Sequence, residues 1–203
     1  VARFNRKDMV KHLMDMVQTA PKKEPGIRAA HQIFAFKEDH RIEAALGEPE
    51  RTTAIIRALG FVGNNQAVAM LRTVTTDEAR LEASRLLAIT ALGRSSSGAG
   101  ALMQLVQQKK LPAKFMPPAI RSLASSPGPN TRSFAAQQQE LLTPTGKRWP
   151  IELLLAAKPD ASRGKAVFQK AGCIACHIVR GEGLDFGPEL SDIGNKLSSE
   201  QLF

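Results

Sequence analysis

Apolar and polar positions alternate with a helical period along the first fifty residues. The stretch NRKDMVKHLMDMVQTA places four apolar side chains on one face of a predicted helix: Met9, Leu13, Met16 and Val17. The prolines and the glycine of APKKEPG then interrupt the pattern. IRAAHQIFAFKEDHRIEAALG resumes it and ends at Gly47, a typical C-cap residue. We therefore expect residues 1–50 to form a helical N-terminal segment that continues into the elements behind it.

From residue 51 onward an apolar helical phrase recurs. IIRALG ends at Gly60, AITALG at Gly93 and AIRSLA at Ala124, at spacings of 33 and 31 residues. A short polar break and a second apolar stretch follow each phrase: NQAVAMLRTV, GAGALMQLVQQ and TRSFAAQQQELL. Such recurrence indicates an α-solenoid, because one helical pair cannot bury its apolar face alone. Residues 51–142 resemble HEAT-type repeats; the alternative is a helical bundle without repeats.

The segment behind the repeats is rich in helix breakers. LLTPTGKRWPIELLLAAKPDAS contains four of them: Pro144, Gly146, Pro150 and Pro159. This composition predicts a linker over residues 143–158 with a short helix in its middle, and Trp149 is a candidate anchor for it. Asp160 stands at the N-cap position of a further helix, ASRGKAVFQKAG, which ends at Gly172. Residues 159–203 are thereby predicted to form a second domain.

The composition fits a globular all-α protein. Hydrophobic residues make up 43% of the chain and charged residues 23%, which argues against global disorder. Abundant alanine and leucine favour helix. No run of about 18 apolar residues predicts a transmembrane segment. The chain begins with Val and no signal peptide precedes it, so we expect a processed or excised piece of a longer protein.

The positive charge is concentrated in the middle of the chain. The net charge is +9, and residues 51–150 alone contain thirteen basic and four acidic side chains. This segment forms either a solvated basic face or a docking surface for an acidic partner. Nucleic acid is not an expected partner, because aromatic and basic residues are not interleaved as base stacking requires.

Candidate chemistry is confined to KAGCIACHIV, which contains both cysteines of the chain, Cys173 and Cys176, followed by His177. A disulfide between them would close a very small loop and add little stability. A thioredoxin-like centre needs a strand before the motif and a helix starting at it. A structural zinc site needs four ligands, and this segment offers three. Covalent haem fits best, because two thiols three positions apart can bond both vinyl groups while the next residue binds iron.

The neighbourhood of this motif supports the haem interpretation. Gly164 and Phe168 lie four residues apart on the preceding helix, and the phrase Gly187-Pro188-Glu189-Leu190 follows in the loop. With these features, residues 159–203 resemble the front half of a class I cytochrome c domain. The predicted fold is therefore all-α, a HEAT-like solenoid followed by a truncated cytochrome c domain.

The resemblance implies one covalent haem c and a set of residues around it. The cofactor-binding residues would be Phe168, Cys173, Cys176, His177, Gly187, Pro188, Leu190 and Ile193. His177 would bind iron, and the Pro188 carbonyl would accept a hydrogen bond from its other ring nitrogen. Leu190 and Ile193 would line the haem face. Gly164 would allow a later helix to cross closely, with Phe168 packed at the crossing.

The second axial ligand departs from the family pattern, which usually supplies a methionine downstream of the motif. All six methionines precede it, and the 26 residues after His177 contain no Met, His or Cys. Lys196 would first have to lose its proton, which is costly. We expect the ligand and a closing helix to lie beyond Phe203. A ligand borrowed from upstream Met or His residues (His12, His31 or His40) and a five-coordinate iron are the alternatives.

Function follows from this site. The leading hypothesis is an electron-transfer module on a helical-repeat scaffold that exchanges electrons with a redox partner such as a dehydrogenase. No residue is assigned a catalytic role, so we expect a carrier more than an enzyme. The alternatives are a five-coordinate gas-binding or peroxidase-like protein, and an interaction scaffold with an accessory haem. The order of repeats and haem motif resembles planctomycete-type haem-binding CxxCH proteins, which implies a bacterial periplasmic or exported location.

Overall fold

The computed structural model describes residues 5–142, 150–185 and 187–202, and for residues 140–142 and 175 it describes the backbone alone. The chain divides into two compact units, Val1–Ala136 and Gln137–Phe203. In the described ranges every regular element is helical except one two-stranded hairpin. The prediction of an all-α protein is thus confirmed. The predicted linker residues 143–149, with the expected anchor Trp149, lie outside the described residues.

Nine α-helices begin in the first unit as described. They are α1 (Arg6–Thr19), α2 (Glu24–Ala35), α3 (Asp39–Leu46), α4 (Pro49–Val62), α5 (Asn65–Thr76), α6 (Glu82–Leu92), α7 (Ser96–Gln107), α8 (Met116–Ala124) and α9 (Pro129–Leu142). A single 3₁₀ turn, Ala113–Phe115, precedes α8. None of the helices described anywhere in the chain is long and apolar enough to cross a membrane.

The second unit is built of short elements. They are α10 (Ile151–Ala156), α11 (Ala161–Lys170), a 3₁₀ turn (Cys173–Ala175), β1 (Ile178–Val179), β2 (Glu182–Gly183), α12 (Ile193–Lys196) and α13 (Ser199–Leu202). The helix predicted in the middle of the linker is α10. The two strands pair antiparallel, with Ile178 opposite Gly183.

The buried face of α1 differs from the predicted one. Its fully buried side chains are Val10, Met14 and Val17, and the other predicted residues, Met9, Leu13 and Met16, are half-buried. The reason is that α1 packs against both α2 and α4. Its apolar stripe is therefore wide, and the centre of that stripe lies between the two partner helices.

The helix predicted from Ile27 to Gly47 is interrupted at Lys37. This residue adopts a left-handed conformation with φ of 56°. Its N–H donates to the Phe34 carbonyl at 2.9 Å, and the next N–H donates to the Ile33 carbonyl at 3.0 Å. These two bonds form a Schellman motif, which ends α2 and redirects the chain into α3.

The recurring phrases correspond to three helical pairs, α4/α5, α6/α7 and α8/α9. The first helices of successive pairs pack on each other, α4 on α6 and α6 on α8. Side-chain bonds repeat the same spacing: the Ser97 hydroxyl donates to the Gly63 carbonyl at 2.6 Å, and the Ser122 hydroxyl to the Ile89 carbonyl at 3.1 Å. Each of these bonds therefore connects one pair to the next.

Small residues at the ends of the phrases allow this close packing. A Cβ added to Gly60 in α4 would lie 2.9 Å from the Ala91 Cβ of α6. A Cβ added to Gly93 would lie 2.1 Å from the hydroxyl oxygen of Ser122 in α8 and close to the backbone of the same residue. A larger side chain at either position would push neighbouring first helices apart.

The two units differ in burial. The first unit buries large apolar side chains on α2 to α8, with Ile33, Ile55, Leu87 and Leu102 at 0–1% exposure. In the described part of the second unit no side chain is fully buried. Several of its large apolar side chains are exposed instead: Ile151, Leu153, Leu155, Val167, Leu197 and Leu202.

Candidate functional site

The helix α11 carries the chain to the two cysteines. Its predicted N-cap is confirmed, because the Asp160 carboxylate accepts a hydrogen bond from the Arg163 N–H at 3.0 Å. The helix ends at Lys170, two residues earlier than expected, and Gly172 follows the Ala171 cap with a φ of 75°, a left-handed conformation that favours glycine. Cys173 follows directly, so the end of α11 fixes the start of the motif.

The motif itself is one tight turn. The N–H groups of Cys176 and His177 both donate to the Cys173 carbonyl, at 3.1 and 3.0 Å. The turn carries two half-buried cysteines immediately before the imidazole. They are not joined to each other as a disulfide.

A small hairpin follows the motif. Its two-residue turn consists of Arg180 and Gly181, with φ values of 50° and 80°, as turns of this length require. The Lys165 ammonium on α11 lies 2.6 Å from a Glu182 carboxylate oxygen on β2. Both side chains are well exposed, so this ion pair adds little stability. The hairpin reverses the chain and returns it towards the cysteine motif.

Gly183 is a site residue that sequence analysis missed. Its φ is 116°, and a Cβ there would lie 2.1 Å from the His177 carbonyl oxygen. The next residue, Leu184, donates its N–H to the Ile174 carbonyl at 2.9 Å. Glycine is thus required where the returning chain touches the motif. The signal was the closely spaced glycine pair of RGEG, which is typical of a tight turn.

Gly187 brings the loop backbone against the imidazole ring. Its N–H donates to the Cys176 carbonyl at 2.5 Å. A Cβ at this position would lie 2.6 Å from the His177 Cε1 and 2.8 Å from its Nδ1. Only a residue without a side chain leaves room for the ring, and this is the physical reason for glycine in the Gly-Pro phrase.

The orientation of His177 is fixed by Pro188. The ring Nδ1 lies 2.8 Å from the Pro188 carbonyl oxygen. A carbonyl can only accept, so this contact assigns the ring proton to Nδ1. The Nε2 atom then keeps its lone pair, as an imidazole ligand of a metal must. The loop is held by further bonds, among them Leu190 N–H to the Ile178 carbonyl at 2.8 Å.

The remaining predicted site residues surround this centre less closely. Phe168 on α11, Leu190 in the loop and Ile193 at the start of α12 are all half-buried. Pro188 is exposed. A Cβ at Gly164 would meet no atom within 4 Å, so the described chain has open space where a crossing helix was expected. The structure joins His177, Gly187 and Pro188 directly, and the Ile193 N–H donates to the Leu190 carbonyl at 3.2 Å.

The alternatives to haem gain no support from this geometry. A helix, α11, precedes the cysteines, whereas a thioredoxin-like centre needs a strand there. Within the described ranges no three His, Cys, Asp or Glu side chains form a group that could hold a metal ion. Zinc would need such a group.

Haem fits the arrangement in two respects. Two adjacent thiols and an oriented imidazole stand on one turn. In the described part of this unit the apolar side chains are half-buried or exposed, and they form no fully buried core. A large flat apolar group would provide the surface against which such side chains can pack.

Comparison with known proteins identifies this region. Residues 161–203 match the cytochrome c family model, from the first residue of α11 onward. Comparisons with curated proteins and with solved structures gave no significant match. The C-terminal segment is therefore a c-type cytochrome domain, which implies covalently bound haem c, a role in electron transfer and a redox partner protein. The HEAT-like assignment of residues 51–142 stays a prediction.

Proposed function

We propose that this chain is an electron-transfer module with one haem c bonded to Cys173 and Cys176. His177 Nε2 would be the axial ligand of the iron. His177 directly follows the second thiol in the sequence. The observation that carries the proposal is the 2.8 Å contact between its Nδ1 and the Pro188 carbonyl. This contact supports an imidazole prepared for metal binding, because it holds the proton on the nitrogen facing away from the metal.

The residues of the chain have distinct tasks in this proposal. Bound haem supplies a one-electron iron couple. Pro188 and Gly187 hold the imidazole, and the Nδ1–H bond raises the basicity of Nε2. Phe168, Leu190 and Ile193 would cover the haem and exclude water, which favours a stable redox potential. No side chain needs to donate or abstract a proton during electron transfer.

The helical repeats would serve as a scaffold for the haem domain. Bonds at regular spacing between successive pairs, such as Ser97 to Gly63 and Ser122 to Ile89, support a HEAT-like solenoid. The basic segment of residues 51–150 is suited to an acidic redox partner, of which a dehydrogenase is the favoured class. Covalent haem attachment also supports a bacterial periplasmic location.

The test begins with haem attachment. The chain is produced with an exported c-type maturation system, denatured and weighed intact by mass spectrometry. The expected mass is that of the polypeptide plus one haem. Cys173→Ala or Cys176→Ala alone should leave a weaker single attachment, and the double variant none. A bare polypeptide mass after proper maturation, or two haems per chain, would contradict the proposal.

The iron coordination separates the remaining alternatives. Visible and near-infrared spectra of the full-length haem-loaded protein report spin state and ligand number. A low-spin six-coordinate iron is expected for an electron carrier. A high-spin five-coordinate iron with rapid peroxide reduction would instead favour the peroxidase-like function, which needs a polar acid-base group beside the open face.

A further inference from the structure

A surface groove lies between α5 and the C-terminal end of α7, outside the haem domain. Its volume is about 420 Å³, within the usual range of ligand pockets. Six residues line it: Ala69, Arg72, Thr73, Thr76, Leu105 and Lys110. Two of the six are cations, two are hydroxyls, two are apolar, and none is acidic.

The cations of the groove have no ion-pair partner in the described chain, unlike others in the same unit. Three exposed or half-exposed cations are neutralised locally: Arg51 by Glu48, Arg80 by Asp77 and Lys114 by Glu82. Arg72 and Lys110 form no such pair with any described residue. The groove therefore holds two positive charges available to a ligand.

The backbone that carries each of the two cations is anchored. Arg72 lies within the helix α5. Lys110 is the last residue of a Schellman motif at the end of α7, in which Lys109 adopts a φ of 53°. The Lys109 N–H donates to the Val106 carbonyl, and the Lys110 N–H donates to the Leu105 carbonyl, both at 3.0 Å. Anchored backbones reduce the conformational entropy that a ligand must restrict on binding.

The hydroxyls restrict the chemistry of the ligand. Thr73 donates its hydroxyl hydrogen to the Ala69 carbonyl at 3.2 Å, and Thr76 donates to the Arg72 carbonyl at 3.0 Å. While these bonds are kept, each oxygen can accept a further hydrogen bond from a ligand. A fully ionised phosphate or another acceptor-only anion could receive a hydroxyl hydrogen only if the bond to the helix carbonyl broke first. The groove fits a ligand that carries both negative charge and N–H groups.

We propose that this groove binds an extended acidic segment of a partner protein. Carboxylates of the segment pair with Arg72 and Lys110, and its backbone N–H groups donate to the Thr73 and Thr76 oxygens. Ala69 and Leu105 supply the apolar part of the groove lining. The proposal does not rest on haem attachment, because every residue it uses belongs to the first unit.

A peptide titration of the full haem-loaded chain tests this docking groove. The probe is a short fluorescein-labelled peptide that alternates glutamate with glycine, and fluorescence anisotropy gives Kd. Arg72→Gln and Lys110→Gln should each raise Kd about two- to five-fold, as loss of an exposed charge pair does. The matched control is Arg121→Gln, an exposed cation on α8 outside the groove, for which Kd should stay within about 1.5-fold.

A second pair of measurements distinguishes a peptide from other anions. Thr73→Val should weaken the binding of the glutamate peptide and leave the binding of inorganic tripolyphosphate unchanged, because only the peptide carries N–H donors. Equal weakening by Arg121→Gln would mean non-specific attraction to the basic unit and would overturn the proposal. The proposal would also be overturned if tripolyphosphate bound more tightly than the peptide and Arg72→Gln weakened that binding. Self-association of the chain that disappears in Arg72→Gln would identify a second copy as the occupant instead.

Discussion

The two units of this chain are stabilised in different ways. The N-terminal unit has a dry core in which Ile56, Ala88 and Leu102 are 0% exposed. The C-terminal unit, as far as it is described, has no fully buried side chain. Its cysteine motif is shaped by glycines and backbone hydrogen bonds instead. The N-terminal unit is stabilised by the packing of its own side chains. The C-terminal unit positions its site through backbone contacts and needs a large apolar group to complete its interior.

The glycines of the two units show the same contrast. Gly60 and Gly93 allow one helix to approach another, so they serve packing between repeats. Gly183 and Gly187 allow a loop to approach His177, so they serve the site. In each case a missing Cβ decides the contact. The same residue type therefore stabilises the core in one region and prepares a ligand in the other.

The most extensive effect, on a whole unit, is expected when the attachment residues are removed. In Cys173→Ala/Cys176→Ala the C-terminal unit should lose its interior while the N-terminal unit keeps its core. Hydrogen exchange of peptides from 150–202 should accelerate at least about tenfold, which corresponds to about 1.4 kcal/mol of local stability. Peptides from α4 to α7 serve as the internal control and should be unchanged. Equal protection of both units without haem would remove the contrast between them.

Truncation of a core side chain should affect the opposite unit. Leu102 on α7 is fully buried, so Leu102→Ala is expected to lower the free energy of unfolding of the N-terminal unit by about 2–5 kcal/mol. Urea denaturation followed by circular dichroism measures it. The matched control is Val167→Ala on α11 in the other unit, where the side chain is 59% exposed; the free energy of unfolding of the N-terminal unit should then change by no more than about 0.5 kcal/mol. An unchanged haem spectrum in Leu102→Ala would show that the cytochrome site does not depend on this core.

Two helical glycines of the N-terminal unit should respond with opposite sign. Gly60→Ala puts a methyl group 2.9 Å from the Ala91 Cβ, and overpacking of this kind costs about 1–3 kcal/mol. Gly100→Ala on α7 meets no atom within 4 Å, so it should stabilise the helix by about 0.5–1 kcal/mol. Thermal unfolding of both variants measures the difference. Two stabilised variants would mean that α4 and α6 do not pack as closely as described.

Of two glycines compared in the cytochrome domain, one should change the redox potential and the other should not. Gly187→Ala would push the loop off the imidazole and weaken the His177–Pro188 hydrogen bond. Loss of this bond makes the ligand a weaker donor, so the potential should rise by roughly 20–60 mV, the equivalent of about 0.5–1.5 kcal/mol. The control is Gly194→Ala on α12, where a Cβ meets nothing within 4 Å. Potentiometric titration that finds no difference between the two variants would argue against the role of Pro188.

The smallest effect concerns acid sensitivity of the N-terminal unit. A hydrogen bond from Arg41 lowers the pKa of Glu38 below its ordinary value of 4.5. Because this pKa is lower in the folded protein than in the unfolded chain, the charged carboxylate stabilises the fold at pH values above the unfolded pKa. This stabilisation disappears as the pH falls through the lowered pKa. Glu38→Gln should therefore reduce Tm by about 1–3 °C at neutral pH and by less below pH 4.5.

A carboxylate in the other unit provides the comparison for Glu38. The pKa of Glu200 is also lowered, first by its own backbone N–H and then by the Ser198 hydroxyl. Because Glu200 lies in the second unit, Glu200→Gln should leave the Tm of the N-terminal unit unchanged at every pH. Differential scanning calorimetry with both variants measures this. A similar Tm loss in both would show that the two units unfold together.

Local features of the fold were predictable from the sequence. The helical character of the chain, the Asp160 cap, the end of α11 just before Gly172 and the paired helices all follow from residues close in sequence. The candidate chemistry was equally local, because Cys173, Cys176 and His177 are neighbours in one turn. Hydrogen bonds within a turn or a helix span only a few residues, so the sequence specifies them directly.

Contacts between distant residues were decided by the tertiary structure. The buried centre of α1 depends on where α2 and α4 lie, and the break at Lys37 depends on a left-handed residue that is not a glycine. Likewise, the contact of Gly183 with the motif and the groove between α5 and α7 arise only when separate segments meet. Packing depends on many weak contacts between two segments, and the sequence of one segment does not show which other segment will pack against it. The sequence therefore determined the helical character of the chain and which atoms are reactive, whereas the tertiary structure decided where helices break, which faces are buried and which charges remain available.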